Sequence, residues 1–382
     1  MIPLSIPELK GNESKYVQEC IETGWISSAG EYVNRFEKII ADYAGAKYGI
    51  ACVNGTAGLH ISLILSGVTS EDHVIVPNIT FIASLNSIKY TGASPILIDV
   101  NEDDWQMDLD LLEEYLSNNT YLDSFEEKKQ TFCSKTKKRI KAIMPVHVLG
   151  NVGNLDKLIK IANKYHLEII EDSTEALGST YNKKHVGTIG KFGVFSFNGN
   201  KIISTGGGGV IVTNDEELAK KAKHITTQAK SSAMEYDHDE IGFNYRLVNV
   251  LAAIGVAQME NFPELLNKKK KMDHFYRSEL KNIGDIQFQK VHDDVEANCW
   301  LFTFKTNKMR ALLSFLNENG IMSRPFWKPM NQLDMFKNDI FVANLNSNKI
   351  YEQCISIPSS AGITESELNE VVKKIKKFYT EK

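Results

Sequence analysis

Cysteine is scarce in this chain of 382 residues, and its five cysteines form no recognisable pattern. Cys20, Cys52, Cys133, Cys299 and Cys354 are far apart and odd in number, without a CxxC pair or a Cys/His cluster. That speaks against a disulfide framework and against a zinc site, so no metal is expected and a reducing cytoplasm is the simplest home. Long apolar runs are also missing: nothing approaches the roughly 20 residues of a membrane helix. The start, Met1 to Lys10, lacks the charged head and apolar stretch of a signal peptide. Nor is there an excess of either charge, since 44 basic residues face 48 acidic ones for a formal net charge of −4. A dedicated nucleic-acid binder carries a basic excess, so neither nucleic acid nor a membrane is expected as a partner. Local basic sites for a phosphorylated ligand remain open.

What the chain does have is apolar material, 42% of its residues, enough for more than one core at this length. From about Glu13 to Gly190, helical patterns alternate with short apolar runs. Phe36 to Tyr43 reads as a helix stopped by Gly45, Tyr48 to Val53 as a strand, and Ala57 to Leu65 as a largely buried helix. His73–Val76, Ser94–Val100, Ile140–Val146 and Leu167–Glu171 read as further strands. Between the last two, Leu155, Leu158, Ala162 and Tyr165 recur at helical spacing. Such alternation predicts an α/β fold, a mostly parallel sheet covered by helices on both faces. The polar, Lys-rich stretch from Ser124 to Arg139 reads as a surface excursion. Past Pro263 the pattern changes: a lysine-rich helix, a strand over Trp300–Lys305, and a terminal amphipathic helix. Thr364 and Glu367 form a capping box for that helix, and Leu368, Val371, Ile375 and Phe378 its stripe. Residues 1–262 are therefore expected to form a large domain and 263–382 a smaller α+β one.

Three segments carry chemistry. In Gly193 to Val210 an apolar strand runs into a polar turn, then Lys201, four glycines and a second apolar strand. A lysine near a loop is ordinarily a solvated surface residue. Between two apolar segments, however, a free ammonium is costly, and a desolvated amine becomes a nucleophile toward an aldehyde. The glycines lack the Gly-Lys-Ser/Thr ending of a P-loop, so close backbone approach to a ligand explains them better. In the second segment Asp172 ends an apolar strand, where parallel sheets place ligand groups; it could equally cap the next turn. In the third, a strand turns through Asn54 and Gly55 into a helix beginning near Thr56. Its first amides and its dipole suit a phosphate, or Thr56 simply caps the helix. An aldehyde-seeking lysine, a carboxylate for a ring nitrogen and a phosphate cradle are together the needs of pyridoxal 5′-phosphate.

In this order the segments resemble the DegT-type sugar-nucleotide aminotransferases, and the resemblance runs almost end to end. It includes Gly11–Glu13, Gly24–Gly30, Pro77–Phe81, Pro145–Gly150, Gly242–Arg246, Arg324–Pro329 and Ile357–Ser360. The resemblance implies the aspartate aminotransferase-like fold (fold type I) and pyridoxal phosphate, with pyridoxamine phosphate as its intermediate form. It makes Lys201 the Schiff-base lysine, Asp172 the partner of the pyridine nitrogen and Phe81 the aromatic stacked on the ring. Gly55, Thr56 and Ala57 match the phosphate loop, Ser196 its hydroxyl donor, and Asn244 an asparagine reaching the phosphate of a neighbouring subunit. That implies a homodimer with shared active sites, with glutamate as amino donor. Phe81 as plain core, Ser196 as a locally bonded strand residue and Asn244 as a turn residue are the bland alternatives. Arg324, Trp327 and Lys328 are candidate substrate contacts, as are Arg246 and the lysine run 268–271, for which a solvated helix face is the stronger reading. His147 is either a loop-orienting group or a satisfied buried histidine, and Ser28 with Glu31 looks like a capping box.

Two positions depart from the commoner pattern. Thr174 stands where many members have alanine, and Glu175 where many have glutamine or histidine beside the phenolic oxygen. A carboxylate there is unfavourable unless a proton or a water intervenes. Glu175 and the Asn198-Gly-Asn-Lys201 turn look most like the subgroup feeding legionaminic acid synthesis. That subgroup aminates C4 of a UDP-linked 4-keto-6-deoxy-N-acetylhexosamine for bacterial surface sugars. A GDP- or dTDP-linked keto sugar, or amination at C3, is the alternative substrate. A sugar dehydratase of this fold replaces the lysine with histidine, which Lys201 counts against. A non-catalytic sensor is the competing class, disfavoured by Lys201, Asp172 and Phe81 together.

Overall fold

The computed structural model describes residues 1–125, 128–232 and 234–380. Eight strands run in order across a ten-stranded sheet: β1 (Tyr48–Cys52), β2 (Asp72–Pro77), β3 (Ser94–Ile98), β4 (Arg139–Ile143), β5 (Glu168–Asp172), β6 (Phe192–Ser196), β7 (Gly209–Thr213) and β8 (Ile340–Val342). Their order is β1-β7-β6-β5-β4-β2-β3-β8. From β6 to β8 all neighbours are parallel, and β7 is antiparallel to both β6 and β1. The near-continuous apolar runs follow from burial on two faces. Along β2, Val74 and Val76 enter a core with Phe36 and Leu59, while Ile75 points the other way into one with Leu112, Leu116 and Leu158.

The helix α1 (Gly55–Leu65) follows β1 and buries eight of its eleven residues. It lies directly on the sheet: a Cβ at Gly58 would meet Val194 Cγ1 at 2.8 Å. Only a residue without a side chain permits that approach.

A third core, containing Met272, Phe304, Leu312, Ile355 and Ile375, is built mostly beyond residue 270. It joins the helix α2 (Phe262–Leu280) to a four-stranded antiparallel sheet of Gln287–Phe288, Thr303–Lys305, Cys354–Ser356 and Arg324–Pro325. The terminal helix begins with the expected capping box, in which Thr364 Oγ1 accepts from the Glu367 amide at 3.2 Å. In return, the Glu367 carboxylate accepts from the Thr364 amide at 2.8 Å. The chain's beginning is tied to this part as well, with Ile2 N donating to Gly320 O at 2.8 Å.

Two local readings are corrected. Residues 120–133 form a hairpin, Thr120–Phe125 against Lys128–Cys133, that pairs with β4; residues 126–127 lie outside the described ones. Its second strand is polar because Lys128 and Lys129 face solvent while Thr131 and Cys133 are buried. Ser28 and Glu31 form no capping box: Gly30 holds the cap position, without a side-chain bond. Among the described residues, no helix is long and apolar enough to cross a membrane.

Candidate active site

Parallel strands present their carboxyl ends on one edge, and the chain lines a cavity of about 590 Å³ there. Asp172 comes from the end of β5, Ser196 from the end of β6, and Asn54, Gly55 and Thr56 from the β1–α1 turn. Lys201 arrives on the turn after β6. From the C-terminal part come Trp300, Arg324 and Trp327, so the cavity sits between the two parts of the chain.

Asp172 is 2% exposed. Its Oδ2 accepts from the Ser84 hydroxyl at 2.6 Å and its Oδ1 from the Thr174 amide at 3.2 Å. These bonds fix the orientation of its carboxyl group in the cavity lining. Lys201 Nζ lies 3.9 Å from Glu175 Oε1 and 3.8 Å from the centre of the Trp300 ring. Burial pushes its amine below the ordinary lysine range, against the pull of Glu175 and Asp172. Glu175 accepts from the Leu149 amide at 2.8 Å. Burial pushes this carboxyl up to about 7, opposed by Lys201 and the Leu149 amide and reinforced by Asp172. A carboxyl with a midpoint there is partly protonated near neutral pH, and its protonated form can act as a hydrogen-bond donor.

At the other end, the structure decides between the two readings of the helix start. Asn54, not Thr56, is the cap: its Oδ1 accepts from the Ala57 amide at 2.8 Å. Ala57 is buried with its amide donating to that side chain, whereas Gly55, Thr56 and Ser196 line the cavity. A Cβ at Gly55 would stand 3.0 Å from Thr174 and 3.1 Å from Ser196, so the loop is pressed against both. The amides of a helix's first turn have no intrahelical partner and favour an anion.

Phe81 is 56% exposed on the cavity wall, its ring 6.4 Å from that of Trp327. Arg324 lines the cavity, but Lys328 is exposed and off its wall. Asn244 is exposed and also absent from the cavity of its own chain. Arg246 stands outside it too, bridged to Cys52. The lysine run is structural rather than ligand-facing. Lys268 pairs with Glu8 and Glu264, Lys270 with Glu296, and Lys269 is buried, donating to the carbonyls of Trp300 and Ser359. His147 is a satisfied buried residue bonded to Glu171 at 3.1 Å. Burial alone would raise the Glu171 carboxyl, but His147 and the Gly190 and Gly187 amides hold it lower. Residue reasoning overlooked Ser84, Leu149 and Trp300, which meet the site only through the fold; the Ser84 hydroxyl carried no sequence signal.

The donor set fits pyridoxal phosphate: free helix amides and a hydroxyl for a phosphate, a fixed carboxylate for a ring nitrogen, an exposed aromatic face, and a desolvated amine. The DegT/DnrJ/EryC1/StrS aminotransferase family matches residues 7–376. Over 384 residues the chain is 36% identical to the GDP-perosamine synthase of Caulobacter vibrioides, covering 97% of this chain and 96% of that one. The GDP-perosamine synthase of Escherichia coli O157:H7 is 34% identical, with 100% and 99% covered. The solved sugar aminotransferase CalS13 from Micromonospora echinospora superposes with a TM-score of 0.87 at 25% identity, covering 99% of this chain and 100% of that one. This chain belongs to the DegT/DnrJ/EryC1/StrS aminotransferase family and is a pyridoxal phosphate-dependent sugar-nucleotide aminotransferase.

Proposed function

We propose that the enzyme moves an amino group from glutamate to C4 of a 4-keto-6-deoxyhexose carried on GDP, for bacterial surface polysaccharide. The observation that carries this reading is the convergence of Lys201, Asp172 and the Gly55–Thr56 cradle on one cavity. The relatives named GDP-perosamine synthases, alike over nearly the whole chain, favour GDP over the UDP expected from sequence. Arg324 and Trp327, open on the cavity wall, are the groups suited to a diphosphate and to a sugar or base face.

When bound, pyridoxal phosphate supplies an aldehyde carbon for Lys201 and a protonated ring that accepts electrons. Asp172, oriented by Ser84, would hold a proton on the ring nitrogen. Gly55, Thr56 and Ser196 would hold the phosphate, and Phe81 offers an aromatic face to the ring. Lys201 Nζ, freed by the incoming donor, takes the proton from the donor's Cα. In the second half the same atom protonates C4 of the sugar, giving ping-pong kinetics. Asn244, exposed and off its own cavity, supports a homodimer in which it reaches the phosphate held by the second copy. The five cysteines, none paired with another, fit a cytoplasmic enzyme.

Glu175 and the Asn198–Lys201 turn favour a second reading, the UDP-linked N-acetylated substrate of legionaminic acid synthesis. A panel of GDP-, UDP- and dTDP-linked 4-keto and 3-keto sugars, incubated with glutamate and followed by mass spectrometry, decides. Amination of the GDP-linked 4-keto sugar at a kcat/KM at least about tenfold above the rest is expected, a difference of ~1.4 kcal/mol. Preference for the UDP-linked N-acetyl sugar would transfer the assignment to the second reading, and turnover of 3-keto sugars alone would overturn both.

The titration of Glu175 has a consequence for pH. Its protonated form can donate to the phenolic oxygen of the cofactor, and that form is lost as pH rises through about 7. Cofactor affinity of the wild type is therefore expected to weaken above this pH, by up to about tenfold for one charged hydrogen bond. In Glu175→Gln, which donates at every pH, titrations of the visible band should show a flat profile. An unchanged fall in the variant would assign the effect to another group.

A further inference from the structure

The indole of Trp300 has no role in the chemistry above, yet each of the residue's own polar groups is committed. It is 3% exposed, and Lys201 Nζ rests 3.8 Å from its ring centre. Its Nε1 donates to the carbonyl of Asn200, the residue before Lys201, at 2.7 Å. The Trp300 amide donates to Asn298 Oδ1 at 3.1 Å, and Asn298 Nδ2 donates to the carbonyls of Glu175 and Leu177 at 2.7 and 2.9 Å. From behind, the buried Lys269 donates to the Trp300 carbonyl. The Asn200 carbonyl also takes a bond from the hydroxyl of Ser5, at 3.0 Å. The turn bearing the reactive amine is thus held by two remote segments, the one with Ser5 and the 298–300 loop, and α2 backs the second of them.

We propose that Trp300 is a positioning residue for Lys201: its ring face is the resting place of the amine while free, and its N–H clamps the turn that carries it. This rests on the reading of Lys201 as the cofactor lysine. An ammonium over an indole face is attracted by the ring's quadrupole, and a buried face holds it without competing water. A lysine that shuttles one proton between two carbons needs such a fixed station, because small misplacements of a reacting group are costly. Of the titratable groups near it, Glu175 and Asp172 also favour the charged amine, so the ring adds to them rather than acting alone.

Two measurements on full-length protein test the proposal. In the cofactor-stripped enzyme, competitive acetylation across pH, read by peptide mass spectrometry, gives the titration midpoint of Lys201. In Trp300→Leu that midpoint is expected to fall by about 0.5–1 unit, the size of a cation–π contact expressed as a pKa shift, and in Trp300→Phe by less. In the loaded enzyme, Trp300→Leu is expected to lower kcat about tenfold or more, leaving KM for the keto sugar nucleotide within about twofold. The acid limb of its kcat–pH profile should move down by the same shift, since the base must be neutral to act. Packing alone would leave the midpoint in place, and a wild-type midpoint in the leucine variant overturns the proposal. If that variant does not fold, the phenylalanine variant decides, because it keeps a face but loses the clamp: a kcat equal to wild type overturns the idea. Borohydride reduction of the wild type with pyridoxal phosphate keeps the two readings apart. Attachment to a lysine other than Lys201 sinks the cofactor assignment whatever Trp300 does.

Discussion

Lys201→Ala is expected to lose transamination by at least about 10⁴-fold, the upper range for removing a positioned general base. The variant should still fold, because Lys201 contributes to no core cluster and its loss also removes a buried charge that costs desolvation. Pyridoxal phosphate should still bind through the helix amides, Ser196 and Asp172, but without the absorption band that a lysine linkage produces in the wild type. Release of 2-oxoglutarate from glutamate, measured over a single turnover, is the direct readout. A small primary amine added at high concentration should restore part of the rate, since the cavity left behind can admit it. Activity within a hundredfold of wild type would mean another group moves the proton. Glu175, 3.9 Å from Nζ, would then be the first suspect.

Asp172→Asn is expected to lower kcat by about 10³-fold, or ~4 kcal/mol of transition-state stabilisation. The substitution is nearly isosteric, and an amide can still bond to the Ser84 hydroxyl and accept from the Thr174 amide, so the fold should be spared. What it removes is the negative charge. Without that charge the ring nitrogen loses its proton near neutral pH, and the ring ceases to accept electrons. A red or blue displacement of the cofactor band, together with a kcat loss at nearly constant KM, distinguishes this electronic effect from lost binding. Asp172→Glu keeps the charge but displaces it by about one bond, and an intermediate loss is expected. Should the asparagine variant turn over like wild type, the carboxylate would be a structural cap, the alternative that its sequence context leaves open.

Much of this protein was legible in its sequence, for identifiable reasons. The main sheet and its flanking helices follow from apolar runs bounded by glycines and caps, because burial of both faces removes the polar alternation of a one-sided sheet. The end of β5 and the glycine-rich segment after Lys201 are local features, so their chemistry can be read locally. Where one segment had to be read against a distant one, sequence misled. The run from Lys268 to Lys271 looks like a solvated face by composition. Yet α2 turns Lys269 inward onto the Trp300 and Ser359 carbonyls, and burial pushes its amine down to about 7. Lys328 and Arg324 stand four residues apart, and only Arg324 lines the cavity.

Lys201, Asp172 and the helix start were thus singled out from the sequence itself, because each sits at the end of a particular local element, and the fold brings all three to one cavity. The tertiary structure alone decided what surrounds them. Ser84 reaches Asp172 across 88 positions of sequence, and Trp300 reaches Lys201 across 99, from a helix and a loop no periodicity connects. The protonation of Glu175 was decided there too, since a carboxyl's affinity for its proton depends on how much water the finished cavity excludes.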